Sequence, residues 1–103
     1  MINPEDAKLV TLATSTLARS QAKQAAALRD NTGRTYVAIN VSTTGLELDS
    51  LQAVLTVALA SGISGIESVV AAGEKPSHIE VIKAFSADAT LFYIDSSGVE
   101  HVL

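Results

Sequence analysis

The stretch that most constrains this chain runs from Ala25 to Val41. Ala25-Ala26-Ala27-Leu28-Arg29-Asp30 is followed by Asn31-Thr32-Gly33 and then by Arg34-Thr35-Tyr36-Val37-Ala38-Ile39-Asn40-Val41. Two extended runs joined by an Asn/Gly-rich turn predict a β-hairpin. Intrinsic propensity would make the alanine run helical. The turn and the β-branched partner outvote it, because strand preference depends strongly on tertiary context.

The rest of the chain supplies the cover for that hairpin. Asn3-Pro4-Glu5-Asp6 has the form of a helix start, with a capping Asn, a Pro suited to the first turn and two carboxylates at the positive dipole end. Leu9, Ala13 and Leu17, flanked by Val10 and Leu12, lie on one face of a helix running to roughly Gln21. Ser42 to Gly45 reads as a loop. Leu51, Val54, Leu55, Val57, Ala58 and Leu59 then form a helix apolar almost all round, stopped by Gly62. Ile66 to Ala72 is a strand between Gly65 and Gly73, and Ser77 to Phe85 is a short helix with Ile79, Ile82 and Phe85 facing inward. Thr90 to Ile94 is another strand, and Asp95-Ser96-Ser97-Gly98 turns the chain into a last extended run, Val99 to Leu103.

Helices inserted between the later strands require crossovers. They predict an α/β fold, a three-layer α/β/α sandwich around a mixed sheet of about five strands. The 103 residues suffice for one hydrophobic core, so residues 1–103 are expected to form a single domain. Aromatics are few, namely Tyr36, Phe85, Phe92 and Tyr93, so the layers must approach through small side chains.

Charge and composition narrow the functional classes. The net charge is −4, and Lys23, Arg29 and Arg34 make no basic stripe, which argues against nucleic acid as a partner. No stretch reaches the ~20 apolar residues of a membrane span, and no basic segment leads into an apolar run at the start, so a cytoplasmic protein without a membrane partner is expected. Cysteine is absent, which removes disulfides, thiolate nucleophiles and thiolate metal ligands together. The imidazoles available are His78 and His101.

The small-residue run Ala25 to Leu28, the turn at Asn31-Thr32-Gly33 and the strand ending in Asn40-Val41-Ser42 resemble the cytidine deaminase family, where a small-residue strand, a D-G turn and a strand ending in N-V-E come in the same order. A helix ending in Ala60-Ser61-Gly62 and the strand Ile66 to Ala71 continue the likeness, which spans about Glu5 to Phe92. The resemblance implies a cytidine deaminase-like fold and subunits assembled as dimers or tetramers. It also implies a zinc bound by one Cys or His, a proton-shuttling Glu two residues on, and two cysteines in a later P-C-x-x-C. Counting back from Gly62, the ligand position falls on Asp49 and the Glu position on Leu51, which cannot move a proton. Anchored on Phe85, the two cysteine positions fall on Lys75 and His78. Asn40 survives at a sugar-binding position, Ser42 stands where the resemblance expects its acidic partner, and Phe-Pro-Val-Gly before the first strand reads Ala22-Lys23-Gln24-Ala25.

Asn40, Ser42, Asp49, Ser77 and His78 therefore outline a remnant cleft, without a catalytic residue, metal site or cofactor among them. The same positions have a structural reading. Asp49-Ser50-Leu51-Gln52 and Ser77-His78-Ile79-Glu80 both have capping-box spacing, so Asp49 with Gln52 and Ser77 with Glu80 are candidates to close their own helix starts. Asn40, at a strand end, can equally bond backbone. The expectation is a non-catalytic, zinc-free, homo-oligomeric structural or regulatory module. The alternative is a divergent deaminase or small-molecule binder that uses the old cleft.

Overall fold

A computed structural model describes residues 2–103. Helix α1 (Pro4–Ser20) leads into the hairpin of β1 (Gln24–Asp30) and β2 (Thr35–Ile39). A small second hairpin follows, β3 (Val41–Thr43) with β4 (Leu46–Leu48). Then come α2 (Ser50–Ala60), β5 (Ile66–Gly73), α3 (Glu80–Phe85), β6 (Thr90–Ile94) and β7 (Glu100–Val102). Among the described residues the main sheet has five strands in the order β2-β1-β5-β6-β7. Pairing is antiparallel except between β5 and β6, which α3 connects. The sheet is therefore mixed, as the strand and helix order predicts.

Local chemistry sets the element ends. Asn3 Oδ1 accepts the Asp6 N–H at 2.8 Å and so caps α1, and Gln21 ends that helix in the left-handed region at φ 56°. In the β1–β2 turn, Asp30 Oδ1 accepts from the Thr32 amide, the Thr32 hydroxyl and the Arg34 amide, all within 2.9 Å. Burial pushes the Asp30 carboxyl upward, yet these bonds outweigh it and hold the group below the usual carboxylate range.

The sheet buries both faces, and alternation along β1 sorts its side chains. Ala26 and Leu28 join Leu51, Val54, Leu55 and Ala58 of α2 and Ile82 of α3 on one side. Ala27 joins Leu9 and Ala13 of α1, with Val70 and Ala72 of β5, on the other. Each fully buried Leu or Val contributes about 1.5–3 kcal/mol relative to exposure. This is the three-layer sandwich. Arg29 adds one polar tie on the α1 side, bonding Asp6 at 2.8 Å and Glu67 at 2.7 Å. Burial would lower its pKa, but the two carboxylates raise it overall, so the guanidinium stays charged.

Three sequence expectations need correction. Residues 42–45 are not simply a loop, because Ser42 and Thr43 pair with Glu47 and Leu46 across a tight turn. The third helix begins at Glu80 rather than Ser77. Phe85 does not face inward: it is exposed, while Ile82 is fully buried and Ile79 packs at the core's edge. A six-residue helix has one narrow buried stripe, and Ile82 fills it.

Candidate functional site

A cleft of about 490 Å³ opens beside the first turn of α2. Asn40, Ser42, Asp49, Ser77 and His78 all line it, together with Lys23, Glu47, Gln52 and Glu74. The fold thus brings together every residue assigned to the remnant cleft. His101 lies elsewhere, on the edge strand β7, where its Nε2 sits 2.9 Å from Asp95 Oδ2 and its ring stacks on Tyr93.

Asp49 is the centre of the arrangement. Its Oδ1 accepts the Gln52 N–H at 2.9 Å, and Gln52 Oε1 accepts the Asp49 N–H at 2.9 Å, which closes a capping box on α2. Its Oδ2 faces the other way. That oxygen accepts the Ser77 N–H at 3.1 Å and the His78 N–H at 2.8 Å, and lies 3.1 Å from His78 Nδ1. Burial pushes the Asp49 carboxyl upward. The amides of Gln52 and His78, then the His78 ring and the Ser77 amide, outweigh that and hold it below the usual carboxylate range. An ionised carboxylate only accepts hydrogen bonds, so the ring bonds Asp49 in its Nδ1–H tautomer; Ser77 Oγ lies 3.3 Å from the same nitrogen.

The second predicted box does not form. Among the described residues α3 has no side-chain cap, and the residue at its cap position is Ile79. Ser77 and Glu80 therefore do not close their own helix. The reason is competition: a box would give the Ser77 amide to the Glu80 carboxylate, but Asp49 Oδ2 already holds that amide and the His78 amide beside it.

Gln24 is the site residue that sequence reasoning missed. Its side-chain Oε1 accepts the Ser50 N–H at 2.8 Å and its Nε2 donates to the Lys75 carbonyl at 3.5 Å, so it ties the same two segments as Asp49. Asn40 locks the other end: its Oδ1 accepts the Gln24 N–H at 3.0 Å and its own N–H donates to the Gln24 carbonyl. Asn40 thus bonds backbone, that of β1. The available signal for Gln24 was its place in Ala22-Lys23-Gln24-Ala25, where the resemblance expects Phe-Pro-Val-Gly. Below the cleft, Gly73 has φ +99°, and a Cβ there would run into the Lys23 carbonyl oxygen, so the chain turns into residues 74–79 only because this residue lacks a side chain.

A five-stranded mixed sheet between helical layers, with its cleft at the start of α2, defines the α/β/α class to which the cytidine deaminases belong. The chain itself is a member of the cytidine deaminase-like family, whose model matches residues 2–98. Among solved structures it is similar to a cytidine deaminase from Mycobacterium leprae, with a TM-score of 0.69, 16% identity, and coverage of 97% of this chain and 94% of that one. At that identity the likeness speaks for the fold. No curated protein matches the chain.

The zinc that the resemblance implies does not fit these residues. Both Asp49 oxygens are occupied by N–H donors, and the adjoining imidazole nitrogen is itself one of them. Among the described residues no three His, Asp or Glu side chains converge to hold a metal ion. Leu51, at the position of the proton-shuttling Glu, is fully buried in the core between α2 and the sheet.

Proposed function

We propose that this chain is a non-catalytic member of the cytidine deaminase-like family, a single domain over residues 1–103 that serves as a zinc-free structural or regulatory module in the cytoplasm. One observation carries the reading. The side chain at the shuttle position, Leu51, is a fully buried core residue, so the position offers no proton carrier and points away from the cleft. General acid–base groups typically contribute about 10²–10⁴ in rate, and Leu51 supplies none of it. The test is direct: purified protein incubated with cytidine and deoxycytidine should show no turnover with or without added zinc. Turnover that follows zinc loading would sink the proposal.

The module acts as a homo-oligomer, a dimer or tetramer. Val57 and Leu59 leave 43% and 45% of their surface exposed on the two flanks of the buried stripe of α2, with Phe85 of α3 also exposed. Apolar groups presented from a rigid helix suit a self-complementary contact. Sedimentation at micromolar concentration should give a mass above one chain, and Val57→Glu should reduce it to one. A wild-type monomer under those conditions rules out this part.

A second reading, a small-molecule binder, draws on the cleft itself, where His78 and Ser42 line a volume of about 490 Å³. A thermal-shift screen of nucleosides separates it from the first, since a ligand selective for the native state raises its melting temperature.

A further inference from the structure

The misfit between this cleft and a metal has a positive counterpart. Asp49 is 91% buried as a side chain, being 9% exposed, and its two oxygens take four donors from two segments about thirty residues apart. One oxygen belongs to the first turn of α2, the other to Ser77 and His78. The donors are three backbone amides and one imidazole N–H, all aimed at a single charge. Residues 74–79 form a strap along the cleft wall, held at one end by the Glu74 amide on the Lys23 carbonyl at 2.9 Å. Its far end rests on Asp49.

We infer that the amides of Gln52, Ser77 and His78, with the His78 ring, form a carboxylate-binding nest occupied from within by Asp49, and that this bound carboxylate is the cross-link holding the strap closed where a metal would otherwise join the two segments. The nest is selective for a small carboxylate because its donors diverge to two oxygens, one on each side of the cleft. Removing the Asp49 side chain frees the same donors for a carboxylate from solution. This deepens the zinc-free part of the reading above; it is independent of oligomerisation, whose failure would appear in mass and not at the strap.

The experiment compares wild type, Asp49→Ser and Asp49→Ala by amide hydrogen exchange and thermal melting. Serine can still cap α2 but lacks the second oxygen, so exchange at Ser77 and His78 should rise at least about tenfold while the α2 amides stay protected. In Asp49→Ala, sodium formate titrated against sodium chloride at equal ionic strength should raise the melting temperature saturably and restore protection at Ser77 and His78; wild type should not respond. Unchanged exchange at Ser77 and His78 in Asp49→Ser overturns the cross-link. Formate acting no differently from chloride on Asp49→Ala overturns the nest. Should Asp49→Ala fail to fold, Asp49→Ser with formate provides the same comparison. Stoichiometric zinc binding to wild type that His78→Gln abolishes overturns both.

Discussion

The starts of α2 and α3 carry the same sequence signature and end up in opposite states. Asp49-Ser50-Leu51-Gln52 closes a complete capping box, while Ser77-His78-Ile79-Glu80 closes none. Spacing makes a box geometrically available; the acceptors within reach decide whether it is used. A carboxylate already anchored on α2 offers the Ser77 and His78 amides a charged acceptor from another segment. With those amides engaged, the chain bends at Ser77 and turns at Ile79, and helix begins only at Glu80. A local rule fails here because a non-local acceptor already holds the amide that the local box needs.

The largest break in this comparison should come from Leu51→Glu, which restores the carboxyl of the shuttle position. Leu51 is fully buried among Val54, Leu55 and the sheet, so the glutamate must bury an uncompensated charge or expel the first turn of α2. Urea unfolding should show a loss of at least about 3 kcal/mol, against a shift within 0.5 if the position faces the cleft.

Asp49→Ala should follow, at about 2–4 kcal/mol in the same assay, because it removes an N-cap and also leaves the Ser77 and His78 amides short of an acceptor. A loss below about 1 kcal/mol would mean that Asp49 does no more than cap α2.

Acid should erode part of that difference. Asp49 and Asp30 have folded-state pKa values below the usual range, as has Asp95, whose carboxylate is held down by the His101 ring and the Val99 amide. A carboxyl whose pKa falls on folding contributes stability above its unfolded value, about 3.9, and that contribution is lost as pH drops through the lowered folded value. The melting temperature of wild type should therefore fall below about pH 4, and the gap between it and Asp49→Ala should narrow there. A gap that stays constant down to about pH 2 contradicts the ionised carboxylate.

The smallest effect belongs to the start of α3. Ser77→Ala and Glu80→Ala should each change stability by less than about 0.5 kcal/mol, since neither side chain closes a cap there. A loss near that of Asp49→Ala would restore symmetry between the two helix starts.

Much of the architecture was legible from periodicity and punctuation. The Asn3-Pro4 start, the turn at Asn31–Gly33, the apolar run of α2 and the strands β5 and β6 are all local signals, and each appears where those signals put it. The cleft was legible in membership, because the resemblance aligned Asn40, Asp49 and His78 and the fold brings them to one wall. Its wiring was not. That Asp49 turns one oxygen toward Ser77, and that Gln24 reaches Ser50 and Lys75, depends on which strands lie side by side, and no spacing within a single segment encodes it. The pairing of Ser42 with Glu47 escaped for a related reason: three-residue strands carry too few positions for alternation to show.

Gln24, which ties α2 to residue 75, also bears on when the cleft can exist. Its partners lie 26 and 51 positions along the chain, and the wall also draws on residues 40–42 and 47–49. No fragment of the sequence can assemble that wall alone, and contacts of such separation form only after the intervening chain has closed. The cleft wall is thus complete only once β1 and β5 have paired, so its geometry reports the state of the whole fold rather than of any one segment.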